Sequence, residues 1–260
     1  MFKKKKLIIW GGIGIGAAIL VIFIRAQYVL PVAMYHSVQP SVPEGNRLIV
    51  SVEAFDRQMR FVKMNDYTVL PLHEAAAMID EGRKLPRKAL VLTFDDGYED
   101  NYLYAYPILK KYGLPATIFL IVNDIGTPDK LNWDQIREMQ DSGLITFGSH
   151  SLSHPFLECI TSPPELVNEI LGSKNALERS LGRPVRTFSY PCGRLNDDVR
   201  QKVIDAGYGA AVVTNPGKAF SSSDVFALKR LRISENAANL FIFWFETTGY
   251  YNFIREHRHK

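Results

Sequence analysis

Beyond residue 31 the chain alternates short apolar runs with stretches of helical spacing. The apolar runs fall at 32–36, 68–70, 89–94, 116–122, 145–149, 187–190, 210–213 and 228–233. Continuous runs this short read as strands buried on both faces. Between them, apolar positions recur every three to four residues over 52–65, 72–81, 101–111, 133–142, 164–181 and 197–206, the spacing of amphipathic helices. The punctuation agrees. Ser51 and Asn132 stand where a side chain can cap a helix, and Gly143, Gly182 and Gly207 follow helix ends. Strands alternating with helices imply a parallel sheet, and seven or eight such units imply one that closes or nearly closes. The expected fold is α/β, a distorted (β/α) barrel of about seven strands. Its chemistry should lie at the strand C-terminal ends, where His36, Asp95, Asp96, His150 and Pro191 each terminate an apolar run. Residues 39–47, rich in Pro, Ser, Gly and Asn, read as a surface loop.

The N-terminus has a different pattern. Residues 7–24 are 18 positions without a charge, preceded by Lys3, Lys4, Lys5 and Lys6 and followed by Arg25. That length is near the lower limit for a bilayer-spanning helix, and the lysines favour a cytoplasmic N-terminus. A cleaved signal peptide is the rival reading, but the exit Ile24-Arg25-Ala26-Gln27 is a poor cleavage site. The expected organisation is a cytoplasmic basic segment (1–6), a transmembrane signal anchor (7–24), a short tether (25–31) and an extracytoplasmic catalytic domain (32–260). Such a chain is a single-pass protein of the cell membrane. The first 30 residues carry +5 of the net charge of +4, which leaves the remainder at −1. A near-neutral domain gives no case for nucleic-acid binding, and no obligate protein partner is evident. With 47% hydrophobic residues a core can form without disulfides, and the two cysteines, Cys159 and Cys192, are expected as free thiols.

Two motifs carry the chemistry. Thr93-Phe94-Asp95-Asp96-Gly97 ends a buried strand in two adjacent carboxylates and a turn. Two such groups raise each other's pKa in a small pocket unless a cation sits between them. His150-Ser151-Leu152-Ser153-His154 ends another strand with histidines four apart, a spacing that on one helical turn ligates one metal. Asp96, His150 and His154 then form an open three-ligand site, and Asp95 remains as a base. Oxygen and imidazole ligands suit Zn²⁺, with Co²⁺, Ni²⁺, Mn²⁺ and Fe²⁺ also compatible. His36, at the end of the first strand, is a candidate general acid, since imidazole titrates near neutrality. Tyr190-Pro191-Cys192-Gly193 ends a further strand in a turn whose backbone N–H groups can hold an oxyanion.

With these motifs, the chain over about residues 31–234 resembles the polysaccharide deacetylases, carbohydrate esterase family four. The residues that match are Asp95 and Asp96, the pair His150 and His154, and Tyr190-Pro191-Cys192-Gly193. Residues 31–37 and 94–102 are similar to the branch that includes poly-N-acetylglucosamine deacetylases, in which an N-terminal Tyr-His segment supplies the acid. The resemblance implies metal-dependent removal of acetyl groups from an N-acetylated glycan polymer, poly-N-acetylglucosamine or peptidoglycan. It implies Asp95 as base, His36 as acid, and Cys192 with its neighbours Tyr190 and Pro191 at the oxyanion and substrate site. Two departures stand out. The C-terminal stretch Leu228-Lys229-Arg230-Leu231-Arg232-Ile233 lacks the histidine other members use as acid, which favours His36. The arginine that often orients the base is replaced by Ser189, a role Arg230 or Arg232 could take.

Weaker features are Trp133, Tyr98 and Tyr102, each able to rim a sugar groove or simply to pack. The aromatic run 240–245, followed by Arg255, His257, Arg258, His259 and Lys260, is expected to pack as a final helix, with contact to a membrane surface as the alternative. Two other functions remain compatible: a related amide or ester hydrolase on small or O-acetylated substrates, and a non-catalytic glycan-binding module.

Overall fold

The structure, a computed structural model, describes residues 27–214, 221, 223–252 and 255. In chain order the main elements are β1 (Val32–Tyr35), β2 (Ser37–Gln39), β3 (Ile49–Ser51), α1 (Val52–Met64), β4 (Thr68–Val69), α2 (Leu72–Asp80) and β5 (Ala89–Phe94). There follow α3 (Tyr106–Tyr112), β6 (Ala116–Leu120), α4 (Trp133–Asp141), β7 (Ile145–Ser149), α5 (Pro163–Val167), α6 (Ser173–Leu181) and β8 (Thr187–Ser189). The chain ends with α7 (Asp197–Asp205), β9 (Ala210–Val213), β10 (Leu228–Arg232) and α8 (Leu240–Glu246).

Seven parallel strands close a barrel in the order β1-β10-β9-β8-β7-β6-β5, and β5 returns to β1. The apolar run at 68–70 does not enter the wall as an equal strand. Its two residues of β4 pair with Ala89 and Leu90, and β1 takes the same edge of β5 from Val91 onward. Three-residue β2 and β3 form a separate parallel pair too short to announce itself in the sequence.

The two-residue period of each strand divides the apolar side chains into two layers. Val32, Val91, Phe119, Ala210, Val212 and Leu228 fill the barrel, and Leu72, Ala75 and Ala76 of α2 join this cluster and plug its N-terminal end. Their neighbours in sequence, such as Ala33, Leu90, Leu92, Ile118 and Phe188, face the surrounding helices. Gly148 keeps the interior wide enough: a Cβ there would lie 2.6 Å from Phe119 ring atoms and from Thr187 Oγ1.

Ser51 caps α1 through Ala54 N–H, and Asn132 with Gln135 forms a capping box on α4. Two expected helices are interrupted by π turns, Asn101–Ala105 ahead of α3 and Asn168–Gly172 between α5 and α6. At the first, Pro107 supplies no N–H to an α-helical ladder, and the wider turn accommodates it.

Residues 28–31, expected as part of the tether, belong to the domain instead. Leu30 is buried, Val29 N–H donates to Gly249 O at 2.9 Å, and the Tyr28 and Tyr250 rings meet edge-on at 5.8 Å. The segment expected as an anchor, 7–24, lies outside the described residues. Among the described residues no helix is long and apolar enough to cross a membrane.

Candidate active site and metal centre

The inward-pointing positions that fill the barrel become polar at its C-terminal mouth. On β5 the inner face runs Val91, Thr93 and then Asp95; on β1 it runs Val32, Met34 and then His36; on β8 and β10 it ends in Ser189 and Arg230. Asp95 therefore points inward by strand period. Asp96 reaches the same pocket because its backbone turns into the left-handed region, φ 70°, followed by Gly97 at 61°. A Cβ at Gly97 would come 2.8 Å from Leu120 Cδ2, so both conformation and space favour glycine there.

Asp96, His150 and His154 each offer a ligand atom, and these atoms all lie within 4.8 Å of one another. Asp96 Oδ1 is 3.5 Å from His150 Nε2 and 3.8 Å from His154 Nε2. His150 Nδ1 sits 2.8 Å from Ser189 O. A carbonyl only accepts, so Nδ1 carries the proton and the Nε2 lone pair faces the cluster. Burial pushes the His150 pKa down to about 4 against the pull of Asp95, so the imidazole is neutral at pH 7 as a ligand must be. Asp96 is pushed up by burial and then by Asp95, the like-charge conflict that a cation relieves. On donor type, tautomer and convergence these residues fit a divalent metal ion.

The two histidines do not share a helical turn as the i, i+4 spacing suggested. They sit on a loop in which Ser151 and His154 take positive φ, 67° and 61°. Helix geometry would continue away from the strand axis, whereas this turn folds His154 back over the barrel mouth, with ring centroids 4.6 Å apart. The buried carboxylate of Glu169 holds the turn. It accepts from Leu152 N–H at 2.9 Å, Ser153 N–H at 3.0 Å and Ser153 Oγ at 2.6 Å. Ser151 Oγ accepts from His154 N–H at 2.9 Å.

Asp95 is gripped by Arg230 through two parallel bonds, Nη1 to Oδ1 and Nη2 to Oδ2, both 2.7 Å. Arg230 Nη2 also donates to Ser189 Oγ at 2.9 Å. The missing arginine is thus supplied from β10, and the serine on β8 leaves room for it. Burial alone would raise the Asp95 pKa, but the Arg230 guanidinium and then His150 hold the carboxyl well below the usual carboxylate range. Arg232, the other candidate for this role, is exposed at the end of β10 and does not reach the site.

His36 stands at the same mouth, close enough to feel Asp95, Asp96, Arg230 and His150. Burial pushes its pKa down, opposed by the two aspartates, and its Nδ1 is buried without a hydrogen-bond partner among the described residues. The backbone on either side is clamped. Asn101 Nδ2 donates to His36 O at 2.8 Å, and Asp100 accepts from Ser37 Oγ and from Val38 N–H at 3.1 Å.

Around this centre the remaining candidates separate. Cys192 is exposed with φ 56°, and Asp96 contributes, after burial, to raising its thiol pKa, which places it beside the cluster. Pro191 is buried. Tyr190 is not a substrate contact: its side chain is fully buried and its hydroxyl donates to Phe226 O at 3.0 Å, as a core strut. Cys159 is also a free, exposed thiol. Tyr98 hydrogen-bonds Asp96 and carries Lys130 Nζ 4.1 Å above its ring, so both rim the site. Tyr102 instead donates to Glu138, and Trp133 packs partly buried against the core. Asp100 and Asn101 fall in the 94–102 stretch that carries the resemblance, which assigned them no role, while Glu169 lies within an ordinary helical pattern and Lys130 in a loop without a motif.

A carboxylate paired with a buried arginine, beside three residues that could hold a metal ion at the mouth of a parallel barrel, is an arrangement suited to a hydrolase that activates water. The family model for polysaccharide deacetylases matches residues 82–211, and the chain belongs to that family. It is 38% identical over 79% of its length to YxkH of Bacillus subtilis (strain 168), a protein assigned by name to the polysaccharide deacetylases, of which it covers 71%. It is 29% identical to the poly-β-1,6-N-acetyl-D-glucosamine N-deacetylase of Staphylococcus aureus (strain MSSA476), over 72% of this chain and 69% of that one. Its fold superposes on the Streptococcus pyogenes deacetylase PplD, solved with acetate, with TM-score 0.75 and 33% identity, covering 82% of this chain and 97% of that one.

Proposed function

We propose that this protein removes N-acetyl groups from an N-acetylglucosamine-containing polysaccharide, working outside the cytoplasm from a membrane anchor formed by residues 7–24. The observation that carries the reading is Asp95, kept ionised by Arg230 next to the Asp96–His150–His154 cluster. A metal ion held by those three residues, Zn²⁺ by preference, would supply Lewis acidity toward the acetyl carbonyl and acidify water. Asp95 accepts the proton of the attacking water. The backbone N–H of Cys192 would donate to the developing oxyanion. His36 delivers a proton to the nitrogen as the C–N bond breaks, because an amide nitrogen leaves poorly as an anion. Acetate and a free amine on the sugar are the products. The substrate class is supported by the S. aureus relative, and acetyl chemistry by the acetate held by PplD.

The test is acetate release from poly-β-1,6-N-acetylglucosamine oligomers, peptidoglycan fragments and an O-acetylated glycan. Release from either N-acetylated polymer, with free amine in equal amount, is expected. Release only from the O-acetylated substrate would replace this reading with an esterase, and binding without release would replace it with a glycan-binding module.

A further inference from the structure

We propose that the face built by α1, α8 and the 81–88 loop rests on the surface of an anionic lipid bilayer, so that the barrel stands on the membrane with its catalytic mouth directed away. This rests on the anchor reading of residues 7–24. Four side chains on this face are apolar and open to solvent: Met64 at 67%, Phe241 at 68%, Trp244 at 43% and Ile242 at 37% exposure. Between α1 and α8 lies a groove of 340 Å³ lined by Phe61, Met64 and Leu240, with Arg57 and Arg60 at its border. Apolar and aromatic side chains framed by cations are the composition that settles into the headgroup region of a bilayer.

The charge is arranged to match. Arg57 and Arg83 pair with Glu53 and Glu81, but Arg60, Lys63, Arg87 and Lys88 have no carboxylate partner among the described residues. Lys88 Nζ donates to Asn65 O at 2.7 Å, which ties the basic loop to the end of α1 beside Met64. The domain is near-neutral overall, so these cations are a local concentration, and each is attracted to an anionic leaflet.

Chain entry fixes the orientation. Met64 and Asn65 lead into β4, Lys88 leads into β5, and Tyr28 and Val29 lead into β1. All barrel strands are parallel, so these residues gather at the N-terminal end, opposite Asp95, Asp96 and His150. Val29 is pinned to Gly249, three residues beyond α8. Four residue steps from Ile24 to Tyr28 span at most about 14 Å. A membrane segment ending at residue 24 therefore brings the bilayer up to this face.

The experiment uses the full chain with Trp10→Phe and Trp133→Phe, leaving Trp244 as its one tryptophan, in vesicles of brominated phosphatidylcholine and phosphatidylglycerol. Flotation with the vesicles reports the anchor separately. The proposal expects flotation together with a bromolipid-induced drop in Trp244 emission of at least about twofold, as for a side chain at the acyl boundary. Flotation with Trp244 still quenched by aqueous acrylamide and untouched by bromine would overturn the docked face and leave the anchor standing. Protection from both quenchers together with a crosslinked dimer would overturn it in favour of a second copy of the chain. Absence of flotation would overturn both.

Discussion

A serine at position 189 is what admits an arginine from β10 to Asp95. Arg230 then does two things at once: it fixes the carboxylate in plane and keeps it charged in a site where burial would otherwise protonate it. Replacing Arg230 with Lys keeps the charge but loses the fork. Turnover should fall about 10- to 100-fold, the worth of one charge-assisted bond, while bound metal, measured by emission spectrometry, stays unchanged. Asp95→Asn should cut turnover by about 10²–10⁴-fold and again spare metal content; unaltered turnover would move the base elsewhere. Glu169 acts differently, since it touches neither base nor substrate and only shapes the loop between the two histidines. Glu169→Gln should weaken metal affinity by about 10- to 100-fold in calorimetric titration, with saturating metal restoring most of the activity.

At the scale of elements, what the sequence reveals depends on whether a feature is periodic. The seven wall strands and most helices were legible because each strand is buried on both faces and each helix on one. Asp95 and His36 were legible as the polar ends of such strands. The turn that folds His154 back, the π turns and the two-residue β4 follow from left-handed backbone, proline and strand competition, none of which has a period. Arg230 could be suggested but not separated from Arg232, because both fall on the same face of β10 by period and only the folded strand shows Arg230 buried and Arg232 exposed at its end. Helix α8 shows a cost the pattern did not indicate. Burial pushes Glu246 up from its ordinary 4.5 to about 7, opposed by Arg255, and one carboxylate oxygen is buried without a hydrogen-bond partner among the described residues. A raised carboxyl binds its proton more tightly in the folded state, so its stabilisation is full below 4.5 and lost as pH rises through about 7. Glu246→Gln should therefore leave thermal stability unchanged near pH 4.5 and raise it near pH 8 by an amount on the order of 1 kcal/mol, after allowing for partial exposure. Equal melting curves at both pH values would remove the effect.

The whole molecule divides its tasks between the two ends of one barrel. The N-terminal end is plugged by α2 and collects the chain entry and the basic loop. The C-terminal end collects two carboxylates, three imidazoles and one guanidinium around one mouth. Parallel strands make this separation automatic, since every strand delivers its last inward residue to the same mouth. The central claim is that Asp96, His150 and His154 bind the metal on which hydrolysis depends. The most direct test is acetate release from N-acetylglucosamine oligomers by full-length protein stripped with chelator and titrated with Zn²⁺ or Co²⁺, with bound metal measured in the same samples. The account predicts no release from stripped protein, and release that rises in proportion to bound metal up to one ion per chain. Full release from protein shown to be metal-free would contradict it.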